Sequence, residues 1–556
     1  MHDMTDFKQA TGTEAVRDDS RLPVDRVVFG VGAALAVAFV LVGAIWPEDL
    51  DENTTKVLTW ITENFGWLFV LTSAGFVLFS AFLAISRYGN VKLGPDDSEP
   101  EFSTFSWVSM MFATGMGIGL MFWGVAEPLT HFNAPPMGMA EPGTPEAASL
   151  AMEYSYFHWG FHPWAMYAVI GLSIGYFAYR KGYGNLVSAT FRPLLGDRAA
   201  SGPGKAIDVI AIFATLFGSA TSLGLGALQI TGGIDDVFGS GAGDKKLAVV
   251  VIAVLTACFV LSAVSGVERG IKYLSNANAV AAAVLVLFLF VVGPTVFILG
   301  TFTETLGDYL TQLPGLSFGT GVFGGSEWLN GWTIFYWAWW ISWTPFVGMF
   351  IARISKGRTI RQFVIYVILV PSLVSFIWFA ILGGSAINLQ LNEGWDPPMA
   401  DGAIALESSL FETLREFPLS GITVALAVFL VAIFFVTGAD AASIVMGMLS
   451  QNGKEEPLRA LIIFWGVATG AVAAVLLWAG GLAALQTLVI IVAGPFMLIL
   501  IGMCFSLMRE LRHEPDESLM PDTARRFARK VVEIHHPPAG ASTESGTGPG
   551  SGDHQH

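Results

Sequence analysis

The 556-residue chain is poor in charge and almost without cysteine. Asp, Glu, Lys and Arg make up 13% of it, about half of the roughly 25% usual in soluble proteins, which excludes a multidomain soluble enzyme of this length. Basic residues are the scarcer sign, 29 against 45 acidic, leaving a formal net charge of −16. The acids sit mostly in tails and loops, so the balance describes solvated surface and excludes nucleic acid as a partner. The two cysteines, Cys258 and Cys504, lie in separate apolar runs. They read as small core residues, and no disulfide or metal framework is implied. A short basic leader is also missing: Met1 to Arg26 is long and mixed in charge, with Asp18, Asp19 and Asp25, unlike a signal peptide, and is expected to be retained.

What is present in excess is apolar: 53% hydrophobic residues, 62 Gly and a mean hydropathy of +0.59. Runs of about 20 apolar residues, the length that crosses a bilayer core, recur along nearly the whole chain. They read as spans near Val27–Trp46, Gly66–Ile85, Thr104–Val125, Met152–Tyr179, Ala206–Ile230 and Leu247–Ala263. A second set follows at Ala277–Gly300, Trp332–Ala352, Phe363–Leu382, Ile422–Met448, Leu458–Trp478 and Ala484–Leu507. The expected architecture is an all-α polytopic membrane protein of twelve spans. With that count, 25 of the 29 Lys and Arg fall on the side of the N-terminus, and only Lys56, Lys245, Lys246 and Arg415 on the other. Because basic residues accumulate in cytoplasmic loops, both termini are expected in the cytoplasm of a cell-membrane protein. The long loops Ala126–Ala151 and Thr301–Gly331 would then be external, and neither contains Lys or Arg. Within the second, Thr301–Leu313 is either an amphipathic helix on the interface or a plain loop. The stretch Ala539–His556, rich in Gly, Ser and Thr, cannot fold around a core. The expected organisation is a tail over 1–26, a transporter domain over 27–508 and a second tail over 509–556.

Two spans carry residues that oppose a helix. Gly115-Met116-Gly117-Ile118-Gly119 puts three glycines in five residues at membrane depth, each weakening a helix by about 1 kcal/mol relative to Ala. Unwound backbone there is tolerable only where it is buried or lines a cavity; the alternative is close helix packing through the GxxxG of Gly115 and Gly119. Five spans later, Pro345 and Gly348 lie at mid-span, and paired interruptions of this kind point to a transporter built from inverted repeats with its site at the midplane.

Aromatic rings cluster in the fourth and eighth spans. At about 100° per residue, Trp159, Trp164 and Tyr167 share one side of a continuous helix, and the eighth span adds Trp337, Trp339, Trp340 and Trp343. Either this is an interfacial aromatic belt or a cage. A methylated ammonium cannot donate a hydrogen bond and is best held by ring faces, at about 0.5–2 kcal/mol per contact. No carboxylate is obvious beside the rings, and position 119 is Gly, so a zwitterion fits better than a bare cation. Its carboxylate would meet helix-end amides at the broken third span.

Gly115 to Phe122, the Trp-rich fourth span and Phe335-Tyr336-Trp337-Ala338-Trp339-Trp340-Ile341-Ser342-Trp343 resemble the betaine/carnitine/choline transporter family. The resemblance covers nearly the whole membrane region, and it implies a LeuT-like five-plus-five inverted repeat, approximately 103–300 and 331–508, after two leading helices. It further implies a homotrimer and the import of a quaternary-ammonium solute such as glycine betaine. By resemblance the substrate box is Trp159, Trp164, Tyr167 and Trp340, with Trp343 and Trp339 along the path and Gly115, Met116, Gly117 and Gly119 beside it. Gly at 119 goes with betaine carriers and an acid there with choline.

No enzymatic cofactor is expected; coupling ions are. A hard cation such as sodium takes oxygen ligands, and the resemblance implies one sodium site from carbonyls at Ala113, Met116 and Phe434 with the Thr437 hydroxyl. The next position is Gly438, where the sodium-coupled pattern has a second hydroxyl, so water in its place or proton coupling are the alternatives. A second site resembles Thr215 and Ser219 with Phe346 and Tyr167 nearby; plain interhelical hydrogen bonding is the alternative for the two hydroxyls. Asp440, an acid inside a late span, would carry protons, order an unwound segment near Thr437 or cap a helix half. Arg525-Arg526-Phe527-Ala528-Arg529-Lys530 offers a contact to anionic lipid. A channel should show charged or carbonyl filter rings, and none is found. An enzyme should show a partnered nucleophile and base; His158 and His162, the only candidates near the rings, read as packing histidines.

Overall fold

Asp25 opens the first helix. Its carboxylate accepts hydrogen bonds from the amides of Val27 and Val28, satisfying two of the donors that every helix start leaves free. A computed structural model of the protein describes residues 23–115, 117–238, 245–265, 268–521 and 523–524. The basic cluster 525–530, the Gly/Ser/Thr-rich end, the first 22 residues and Met116 lie outside the described residues.

The first six helices are α1 (Arg26–Ile45), α2 (Pro47–Ile85), α3 (Thr104–Gly115), α4 (Ile118–Asn133), α5 (Pro145–Trp159) and α6 (Phe161–Gly175). Then come α7 (Arg192–Leu195), α8 (Gly202–Phe238), α9 (Lys245–Ser265), α10 (Glu268–Val292), α11 (Thr295–Phe318) and α12 (Ser326–Leu329). The chain closes with α13 (Phe335–Ile354), α14 (Ile360–Glu393), α15 (Ser409–Arg415), α16 (Ser420–Ser450), α17 (Arg459–Gly480) and α18 (Leu482–Leu511). Among the described residues the only sheet is a hairpin pairing Met399 with Ile404 and Ala400 with Ala403, turned at Asp401 and Gly402, both at positive φ.

Seven of these helices, α1, α2, α8, α14, α16, α17 and α18, are long and apolar enough to cross a membrane, and the pair α10–α11 makes up to eight. Val27, Leu35, Leu41 and Ile45 of α1 are exposed, as expected where the surrounding solvent is lipid. The chain is an all-α, multi-pass membrane protein. At Gly293 and Pro294 the chain turns by 108° from α10 into α11. Thr301–Leu313 is therefore helical, part of a transverse helix packed on α5 and α14.

The two expected interruptions behave differently. The third span is broken between Gly115 and Ile118. The eighth is not: α13 runs through Pro345 without a break. Proline removes the amide that would bond the carbonyl four residues back, and here the Thr344 hydroxyl donates to that Ile341 carbonyl at 2.6 Å instead. The partner interruption lies in the fourth span, between α5 and α6 at Gly160 (φ −94°, ψ −130°). Pro163 contributes to it by leaving the carbonyl of Trp159 without its helical donor. Tyr309 of α11 closes the break, its hydroxyl accepting from the Phe161 amide at 3.1 Å.

At the end of α6 an ionic knot ties three segments together. Arg180 donates to both oxygens of Glu514 at 2.9 and 2.6 Å, to Asp96 at 3.0 Å and to the Gly94 carbonyl at 2.8 Å. Lys181 lies 3.0 Å from Glu514 and 3.1 Å from Glu510, and Tyr176 donates to Glu514 at 2.5 Å. Burial would raise the Glu514 carboxyl, but the hydrogen bonds from Arg180 and Tyr176 hold it below its ordinary value. Burial likewise opposes the Lys181 charge, and the Glu514 and Glu510 carboxylates more than offset it.

Candidate functional site

α13 carries the aromatic run and packs chiefly on α6, with α18 and α8 behind it. Its tryptophans are fixed through their indole nitrogens. Trp339 donates to Ser222 at 3.2 Å, Trp340 to the His158 carbonyl at 3.0 Å, and Trp343 to the Gly218 carbonyl at 3.0 Å. Trp159 donates to Glu127 at 2.9 Å. With every N–H committed to protein, what these rings have left to offer a ligand is their faces.

Four of the rings gather around Trp340. Trp159 stands edge-on to it at 4.8 Å and 84°, Tyr167 edge-on at 6.1 Å and 88°, and Trp339 stacks on it at 5.2 Å and 22°. Trp164 joins through Tyr167 at 5.4 Å. The helical wheel that put Trp159, Trp164 and Tyr167 on one side assumed an unbroken helix. The break at Gly160 separates Trp159 from the other two, and Trp340 of α13 is what reconnects them. All of these rings are buried.

Gly119 fits against this cluster because it has no side chain. A Cβ there would lie 2.8 Å from Trp339 and 2.9 Å from Trp159, closer than carbon atoms approach without displacement. Gly117, in extended backbone at the start of α4, has open space around it. Of Ala113 and Gly115 only the helical backbone is described.

Beside the rings is a cavity of about 270 Å³. Trp343 and Phe346 of α13, Ser219 and Ser222 of α8, Gly117 and Ile118 at the broken span, and Phe434, Thr437 and Gly438 of α16 all line it. It thus collects residues named for both ion positions. A second cavity of about 280 Å³ shares Phe346, Phe350 and Ala441 with it and is lined further by Arg353, Asp440 and Glu455. The Thr437 hydroxyl donates to the Ile433 carbonyl at 2.9 Å, and Thr215 donates to Ala211 at 2.9 Å. α16 is helical through Thr437 and Asp440, so Asp440 does not order an unwound segment there. The Tyr167 hydroxyl is buried without a hydrogen-bond partner among the described residues.

Sequence reading missed Glu127. It belongs to α4, not to an external loop, and it is completely buried behind Trp159. His158 Nδ1 lies 2.6 Å from its Oε1, and Tyr336 donates to its Oε2 at 2.5 Å. His158 is therefore a partnered histidine and not simply a packing one. His162 does pack, stacked on Trp337 at 5.0 Å and 18°, and neither of its ring nitrogens has a partner among the described residues. Glu127, His131 and His158 bring their ligand atoms within 4.8 Å of one another, the spacing of a metal site. Three donors already occupy the carboxylate. The signal available in the sequence was Glu127-Pro128 directly continuing an apolar run, an acid placed one helical stretch beyond Gly119.

Residues 27–516 match the profile of BCCT, the betaine/carnitine/choline family transporter. The chain is 48% identical over 491 residues to a probable glycine betaine transporter of Desulfitobacterium hafniense, covering 88% of this chain and 97% of that one. It is 46% identical over 493 residues to the glycine betaine transporter OpuD of Bacillus subtilis, covering 88% and 95%. To the betaine/ectoine transporter LcoP of Corynebacterium glutamicum it is 42% identical over 505 residues, covering 89% and 79%.

Proposed function

This chain belongs to the betaine/carnitine/choline transporter family, whose members are transporters and not enzymes, and from that premise we propose that it imports glycine betaine by sodium symport with alternating access. The observation that carries the reading is the convergence of Trp159, Tyr167 and Trp340 from three helices, α5, α6 and α13, with Trp164 behind, beside the broken third span. Ring faces hold a methylated ammonium, and the amides at the start of α4, next to Gly117, meet its carboxylate. Gly119 leaves room for the rings and brings no charge to repel that carboxylate. Trp339 and Trp343 line the route, and Trp343 and Phe346 reach the cavity that continues toward Asp440.

Two sodium ions are assigned as co-transported substrates. One is held by carbonyls of Ala113, Met116 and Phe434 with the Thr437 hydroxyl, and the other by Thr215 and Ser219 with Phe346 and the unpartnered Tyr167 hydroxyl nearby. A proton is the second reading for the first position, favoured by Gly438, which faces the cavity with no side-chain oxygen.

The membrane arrangement proposed is twelve spans with an inverted repeat over approximately 103–300 and 331–508 and both termini cytoplasmic, assembled as a homotrimer in the cell membrane. Support comes from the charge asymmetry of the loops and from the family to which the chain belongs. Purified protein in proteoliposomes should accumulate labelled glycine betaine under an inward sodium gradient, saturably and in preference to choline, carnitine, ectoine and proline. Accumulation driven by a proton gradient alone would move the coupling to the proton reading, and no saturable uptake under either gradient would defeat the transport assignment.

A further inference from the structure

We infer that Glu127 is the hidden counter-charge of the ring cage, a positioning residue that gives the site its preference for a cation without touching the ligand. This rests on the reading of the rings as a quaternary-ammonium cage. Glu127 is completely buried, and no Lys or Arg among the described residues pairs with it. Its donors are the Trp159 indole at 2.9 Å, the Tyr336 phenol at 2.5 Å and His158 Nδ1 at 2.6 Å. His131 Nε2 stands further off, 3.5 Å from the carboxylate.

The tautomer of His158 follows from its other contact. Nε2 lies 3.0 Å from the Thr333 hydroxyl, which has no other acceptor among the described residues. The hydroxyl therefore donates to Nε2, and the single ring proton sits on Nδ1, facing a carboxylate that only accepts. His158 is neutral in this arrangement, and the carboxylate keeps its negative charge.

That charge acts through the rings in two ways. A carboxylate accepting from an indole N–H and a phenol O–H pushes electron density into both rings and strengthens the negative potential of their faces, the attraction on which cation–π contact depends. The carboxylate also adds its own field in a water-poor interior, where screening is weak. Because Trp159 stands between Glu127 and Trp340, the substrate's carboxylate never meets it at contact distance. The same group holds the frame, since His158 accepts from Trp340 through its carbonyl and Tyr336 stacks on the His158 ring at 4.6 Å. A contact carboxylate would favour a bare cation; a carboxylate behind the ring favours a cation that carries its own anion.

The test compares equilibrium binding of glycine betaine and of 3,3-dimethylbutanoate, its uncharged-head carbon isostere, to the full-length protein. Wild type should bind betaine at least tenfold more tightly than the isostere. Glu127→Gln preserves the size of the group and can keep all three contacts once the His158 proton moves to Nε2. It should lower betaine affinity by about tenfold and leave the isostere within about twofold, so that the ratio collapses. Glu127→Asp keeps the charge with a shorter reach and should retain the ratio even where both affinities fall through altered geometry. A merely structural role would weaken both ligands equally. A full ratio in Glu127→Gln, or a ratio lost in Glu127→Asp, overturns the inference while the cage reading stands. Equal binding of the two ligands by wild type defeats the cage reading itself.

Discussion

At the scale of single residues, the site is defined by what is small as much as by what is aromatic. Gly119 touches Trp159 and Trp339 so closely that even a methyl group must push one of them. Gly119→Ala should raise the KM for betaine uptake about tenfold, with protein still reaching the membrane; an unchanged KM would mean that these rings do not shape the site. Removing one ring face costs up to about 2 kcal/mol, roughly thirtyfold in affinity. Trp340→Ala should cost at least that much, because Trp340 also links Trp159 to Tyr167, and saturable uptake should be lost or strongly weakened at normal membrane levels. The aromatic residues were legible in the sequence because Trp and Tyr at this density have few other uses. Glu127 was not, because an acid just past an apolar run reads as the first residue of a loop, and only the continuation of α4 to Asn133 buries it.

At the scale of elements, the breaks matter more than the helices. The Gly115–Gly119 interruption was legible because three close glycines forfeit helix propensity with nothing nearby to restore it. Pro345 was misleading: proline's missing donor was replaced locally by Thr344, a compensation that depends on a side-chain rotamer and not on composition. The break at Gly160 was hidden because Pro163 alone would allow a kinked but continuous helix, and the rest of its cause, the contact with Tyr309, is tertiary. A Cβ at 160 would meet the Tyr156 carbonyl at 2.6 Å and the Tyr309 hydroxyl at 2.8 Å, and neither neighbour can yield without moving backbone or the transverse helix. Gly160→Ala should therefore destabilise the protein by about 1–3 kcal/mol, as overpacking does, seen as a lower Tm in detergent. The ionic knot makes a different prediction. The folded Glu514 carboxyl titrates below its ordinary 4.5, so its stabilising contribution is complete above that value and is lost as pH falls through the lower, folded-state value. Glu514→Gln should lower the Tm by a constant amount between pH 6 and 8, and the difference from wild type should vanish on acidification below the ordinary carboxylate range. A difference that grows with acid would contradict the knot.

At the scale of the whole molecule, the apolar composition marks a membrane protein, and the recurrence of apolar runs of about 20 residues, the length of a spanning helix, marks it as all-α. Seven or eight described helices meet the length and hydropathy of a span. The helices nearest the site fall short of that pattern because they are broken or polar where the site is built: α3 with α4, α5 with α6, and the Trp-rich α13. In the proposed site, ring faces hold a positive nitrogen. Replacing Trp340 by tryptophans bearing one to four ring fluorines keeps the shape while draining the face of negative potential. Betaine affinity should fall stepwise, by about 0.5 kcal/mol or roughly two- to threefold per fluorine. An affinity that stays flat across the series would contradict the account.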